Sequence, residues 1–231
     1  YPAEAFAAAR AIGFDLATVL LAWNFTPSPR LNRRRIDAQF GISDLRAQGY
    51  TVKAHGVVWA QQFDILPPRA RTLPPEAFMA EALKHQEQVL DVFGGDVALW
   101  EAVNEPAHAN IVGLSRAQMG DLMARAADTL RAADKPVLVN SPPEFAYGSQ
   151  YLIHTTDNQP LDPFAQSFGA FLDGAEAAGQ LDAIDAIGLQ FYPGFHFNAQ
   201  FQNLQGPAQT PAHVRDTLVR FAEYGRDVHI T

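Results

Sequence analysis

Two kinds of hydrophobic pattern alternate along this chain. Short, β-branched or near-continuous apolar runs read as strands, and longer stretches with apolar residues three and four apart read as helices. "PAEAFAAARAIG" (residues 2–13) predicts a helix closed by Gly13, and "FDLATVLLAW" (14–23) a strand. A helix over 33–49 follows, ending at Gly49, then the strand "YTVKAHGVVWA" (50–60). A helix over 74–95 begins with two prolines, where a missing N–H costs nothing, and leads to the strand "DVALWEAVN" (96–104). Next come a helix over 115–135 with Ser115 as N-cap, the strand "PVLVNS" (136–141) and a helix over 162–180. The strand "IDAIGLQFY" (184–192), a helix over 210–225 capped by Thr210 with Pro211 at its first position, and "VHIT" (228–231) complete the series.

Strict alternation of six helices and six strands predicts repeated βαβ units and a parallel sheet. Two architectures build such a sheet, an open doubly wound one and a (β/α)8 barrel. The open sheet would usually carry a glycine-rich phosphate turn after an early strand, and this chain has neither G-x-G-x-x-G nor a P-loop. Polar and aromatic residues collect after several strands instead: Trp23 and Asn24, His55 and Trp59, Asn104 and Glu105, Asn140, and Gln190 and Tyr192. A ring of groups drawn from many strand ends is how a TIM barrel makes a site. The expected fold class is therefore α/β, a (β/α)8 TIM barrel that is incomplete, with about strands 2 to 7 present. Residues 1–231 are expected to form a single domain, truncated at both ends.

Composition removes several function classes. The chain has 25 acidic and 17 basic residues, for a formal net charge of -8, which does not suit a phosphate backbone. The basic cluster "RLNRRR" (30–35) lacks interleaved aromatics and reads as a solvated helix start rather than a nucleic-acid surface. There is no Cys, so disulfides and thiolate zinc sites are excluded. His108, His196 and His213 have no ligand spacing to one another, and no metal or other cofactor is expected. No apolar run approaches the roughly 20 residues that span a membrane, and no signal peptide is visible behind Tyr1.

Four segments, in order, carry a family resemblance. "VKAHGVVWA" resembles the third-strand signature of family 10 glycoside hydrolases, the xylanase family. "HQEQVLDVFGGDVALWEAVNEP" resembles the segment leading into that family's fourth strand and its acid/base glutamate, with His85 matching a histidine there. "IDAIGLQFY" resembles the sixth strand and "VHIT" the start of the seventh. The resemblance implies a retaining glycosidase acting on a β-linked, xylan-type polysaccharide or oligosaccharide. Glu105 would be the general acid/base, protonating the leaving oxygen and then activating water. Asn104 would hydrogen-bond the sugar 2-hydroxyl. His55 and Trp59 would line the subsite beside the cleaved bond, Gln190 would lie near the nucleophile, and Tyr192, with Phe191, Phe195 and Phe197, could stack on sugar faces. The nucleophile would be a Glu directly after Thr231, so the 231 residues alone are expected to be inactive. The partner implied is a carbohydrate, met by a secreted or periplasmic monomer, with no nucleic acid and no membrane.

The resemblance has gaps, and blander readings stand beside it. The second-strand stretch "ATVLLAWNF" lacks the Glu-Asn and Lys that grip xylose in the family. Ala60 and Tyr192 stand where the family has histidines. A mannanase, a glucanase, a β-xylosidase and a non-catalytic carbohydrate-binding barrel are the competing readings. A metal-dependent barrel enzyme would need more His and acidic ligands than His55 and Glu105. Glu105 as a surface carboxylate, His55 as a core histidine and His85 as a structural hydrogen-bonder are the bland alternatives. Glu144 would be a substitute nucleophile. Glu101 shares strand parity with Glu105 unless a bulge intervenes, and either tunes the acid or pairs with a histidine.

Overall fold

The computed structural model describes residues 3–60, 65–107, 110–142, 168–191 and 211–231. Six strands, β1 (Leu16–Leu20), β2 (Thr51–His55), β3 (Leu99–Asn104), β4 (Val137–Ser141), β5 (Ala186–Leu189) and β6 (Asp227–Ile230), form one sheet. They pair in sequence order and all in parallel. Between them run α1 (Ala3–Ala11), α2 (Pro29–Phe40), α3 (Ile42–Ala47), α4 (Pro75–Phe93), α5 (Arg116–Ala132), α6 (Phe168–Ala177) and α7 (Pro211–Ala222). Sequential order with helical crossovers is barrel topology, and six strands make an incomplete barrel. An open doubly wound sheet would reverse its strand order part-way, and this one does not.

One residue set on each strand faces the helices. Val52 and Ala54, Trp100, Val137 and Val139, and Ile187 and Leu189 share a buried cluster with Phe78, Met79 and Phe93 of α4, Leu122 and Met123 of α5 and Phe171 of α6. Each large side chain so buried contributes about 1.5–3 kcal/mol relative to exposure. Trp100 packs in this layer with its indole N–H donated to Val97 O at 3.1 Å, as its parity in the strand predicts.

Two expectations change in detail. The helix predicted over 33–49 is two helices, because Gly41 takes a left-handed conformation (φ 66°) that an α-helix cannot continue through. The Asp37 carboxylate then accepts from the backbone N–H and hydroxyl of Ser43, clamping the break. The helix start at "RLNRRR" is exposed as expected, yet Arg30 pairs with Asp91 on α4 and Arg33 with Asp96 in the turn that follows it. Ser115 caps α5 in a full capping box with Gln118.

Candidate active site

The residues not facing the helices meet at the C-terminal ends of the strands. Register puts Lys53 and His55 of β2, Glu101 of β3, Asn140 of β4 and Gly188 of β5 on that inner row. Glu101 pairs with Leu138 and Asn104 with Asn140, so β3 spends one more residue than β4 over this span. This bulge turns Asn104 to the same face as Glu101, against simple alternation. Glu105 follows in a left-handed backbone conformation (φ 52°), with its N–H donated to Asn140 O at 2.6 Å. A bulge and a left-handed residue thus bring Asn104 and Glu105, neighbours in sequence, to one site.

Glu101 is fully enclosed and tied from three sides. Lys53 Nζ lies 2.9 Å from Oε1, His55 Nδ1 lies 2.9 Å from both oxygens, and Gly56 N–H donates to Oε2 at 3.0 Å. Burial alone would raise this carboxyl, but the charges and hydrogen bonds of His55 and Lys53 prevail and hold it below its ordinary value. Glu101 is therefore the histidine-paired buried carboxylate of the two roles open to it. Its own charge also raises Glu105, so it bears on the acid as well.

Glu105 has the opposite balance. Burial dominates and pushes its carboxyl up to about 7; the neighbouring Glu101 charge adds to the rise. The His55 charge and hydrogen bonds from the side chains of Gln190 and Trp59 act against it without reversing it. Two carboxylates four residues apart are driven in opposite directions, the separation that acid/base work requires. The Trp59 ring lies 5.5 Å from that of His55, forming a wall beside the acid.

Behind Glu105 runs a ladder of amides. Asn104 Oδ1 accepts from Asn140 Nδ2 at 2.8 Å and from Gln190 Nε2 at 3.1 Å. Thr231 donates its hydroxyl to Asn140 Oδ1. Asn104 Nδ2 and Ser141 Oγ are buried and find no partner among the described residues. Of the residues predicted for the site, Glu105, Asn104, His55, Trp59 and Gln190 come together. Tyr192 lies outside the described residues, as do Glu144, Phe195 and Phe197. His85 is apart from the site: its Nε2 lies 3.0 Å from Thr26 Oγ1, and its ring stacks on Trp23 at 5.2 Å. Its imidazole falls to about 3, chiefly through burial and secondarily through the Arg69 charge.

Sequence reasoning missed Lys53 and the link from Asn140 to Asn104. Lys53 stands two residues before His55, hence on the same face of the strand, and that was the available signal. Among the described residues no group of three His, Cys, Asp or Glu could hold a metal ion, and no helix is long and apolar enough to cross a membrane.

Several solved structures share this fold. A family 10 xylanase of Thermobacillus composti superposes with a TM-score of 0.55 at 19% identity, covering 94% of this chain and 67% of its own. A family 10 endoxylanase retrieved from a sugarcane soil metagenome gives 0.58 at 15% identity, with coverage of 100% and 69%. A thermostable mutant of a Cellvibrio japonicus xylanase gives 0.59 at 18% identity, with coverage of 95% and 69%. The fold is that of the family 10 glycoside hydrolases. No protein-family model matches the chain. The family 10 fold is thus carried at an identity too low to bring activity with it, and the chain spans about two thirds of the enzymes it superposes on.

Proposed function

We propose that this chain is the larger part of a retaining glycoside hydrolase that cleaves β-linked glycans of the xylan type. The observation that carries the reading is Glu105, a largely enclosed but not fully buried carboxyl held at about 7 at the C-terminal ends of the strands. At neutral pH about half of it is protonated. It can deliver a proton to a departing glycosidic oxygen and, once ionised, take one from water. Asn104 supplies an amide beside it for the sugar 2-hydroxyl, and His55 and Trp59 wall the subsite. Gln190 holds Glu105 and Asn104 in mutual register.

A retaining mechanism needs a second, ionised carboxylate about 5–5.5 Å from the first. Glu101 cannot serve, because Lys53, His55 and the Gly56 N–H already occupy it. The family pattern assigns the nucleophile to the position after Thr231, following β6. One catalytic domain acting as a monomer is the simplest assembly. A polymeric substrate that cannot enter the cell requires a secreted or periplasmic enzyme.

The test is glycan hydrolysis by the gene product read on through the residue after Thr231 and the rest of its barrel. Reducing ends should appear from β-1,4-xylan, and Glu105→Gln should abolish them. Release from β-mannan or β-glucan alone would move the substrate class. Full activity in the Glu105→Gln protein would overturn the acid/base assignment.

A further inference from the structure

We propose that Gly56 is a positioning residue: by carrying no side chain it lets the Trp59 indole lie against the end of β2, where its N–H reaches Glu105. The placement of the ring stands on geometry alone; its consequence for hydrolysis rests on the glycan reading above.

Gly56 follows β2 directly and takes a left-handed conformation (φ 68°), which glycine adopts at no steric cost. In that conformation its N–H donates to Glu101 Oε2 at 3.0 Å. Its bare α-carbon lies under the indole. A Cβ added there would fall 3.0 Å from Trp59 Cε3, 3.6 Å from Trp59 Cζ3 and 3.2 Å from Leu20 Cδ1. The nearest of these is about 0.5–1 Å inside the distance at which carbon atoms pack best. Leu20 Cδ1 ends a flexible side chain and can yield. The indole is rigid, and it packs in a small apolar cluster with Ala22, Ile65, Leu20 and Phe25.

The ring can therefore relieve such a contact only by turning. Cε3 and Nε1 lie on opposite sides of the Cβ–Cγ bond, so a turn that lifts one lowers the other. Nε1 carries the hydrogen bond to Glu105, and the turn takes it out of line. The charged groups facing Glu105 among the described residues are His55 on β2 and Glu101 on β3, the latter bound by Lys53. An alanine at 56 keeps its N–H for Glu101, so its effect on Glu105 passes through the indole. A donor lost from a carboxylate favours the protonated form.

The test follows the Glu105 carboxyl by 13C NMR and the Trp59 indole N–H by 15N NMR in the gene product carried past Thr231. Gly56→Ala should shift the Trp59 resonance and raise the Glu105 titration midpoint above that of the unaltered protein. In the Trp59→Leu background, which has neither the ring edge nor the N–H, adding Gly56→Ala should leave the midpoint where it is. On xylan, the alkaline limb of kcat/KM should move to higher pH in Gly56→Ala. An unmoved Trp59 resonance in folded Gly56→Ala protein overturns the proposal, as does a rise in midpoint that persists in the Trp59→Leu background. Unaltered protein that releases no reducing ends from xylan defeats the glycan reading, and the two resonances still decide the placement. Where Gly56→Ala does not fold, the double variant Gly56→Ala/Trp59→Leu decides, since it folds if the indole is the obstacle. Its failure, beside a folded Gly41→Ala, overturns the proposal, because Gly41 shares the left-handed φ (66°) and has nothing within 4 Å of the added carbon.

Discussion

Replacing Glu105 by Gln should stabilise the protein, and only where the pH is high enough. In the unfolded chain a glutamate ionises near 4.5; in the folded chain this one waits until about 7. The folded state thus favours the protonated form. Below pH 4.5 both states are protonated and the mismatch is silent. As pH rises through 7 the unfolded chain has already lost its proton and the folded chain resists. Stability therefore declines across that window. The full penalty corresponds to the difference between about 7 and 4.5, roughly 3 kcal/mol at pH 8. Gln keeps the shape and carries no charge, so it removes the penalty while still accepting from Gln190 or Trp59. Urea denaturation of both proteins at pH 4 and pH 8 reads the effect. The two should differ little at pH 4, and the variant should be more stable by about 3 kcal/mol at pH 8. An equal difference at both pH values would show that Glu105 is not held protonated by its surroundings, and the acid assignment would lose its physical basis.

His85 should act in the opposite direction. Its folded-state value near 3 lies below the ordinary 6.5, so stability is lost as pH falls through that range, by about 2–3 kcal/mol at pH 4.5. In His85→Gln that loss should vanish, and an unchanged acid slope in urea titrations would contradict it. Lys53→Met should leave the Glu101 carboxylate short of its buried partner and cost about 3–5 kcal/mol in urea unfolding. A cost below about 1 kcal/mol would mean that His55 and Gly56 alone compensate Glu101.

The fold was legible because parallel strands covered by helices must be apolar along their length, while the covering helices show a single apolar stripe. "DVALWEAVN" and "PPEAFMAEALKHQEQVLDVFGG" differ in just that way, and they form β3 and α4. Ser115 as the N-cap of α5 was readable from residue type alone, and the structure adds the reciprocal bond from Gln118. The break between α2 and α3 was not, since "FGIS" looks helical on both sides and only the left-handed φ of Gly41 separates them. At the site, Glu105, Asn104, His55, Trp59 and Gln190 could be picked out by residue type and position after strands. Their mutual geometry could not. A period of two assigns Asn104 to the helix side of β3, and the bulge after Glu101 reverses that assignment. The pairing of Lys53 with Glu101 required β2 and β3 to be adjacent and in register, which no local pattern reports.

The most direct test of Glu105 as acid/base separates the two steps it would serve. The gene product carried past Thr231 and its Glu105→Ala variant would be compared on xylan and on a 2,4-dinitrophenyl β-xylobioside, whose leaving group departs without a proton. Glu105→Ala is expected to lose xylan hydrolysis but still to release dinitrophenol in a burst. Azide, which attacks without base assistance, should then restore turnover and leave a β-glycosyl azide. Loss of both activities in a folded variant with no rescue by azide, or retention of xylan hydrolysis, would contradict it.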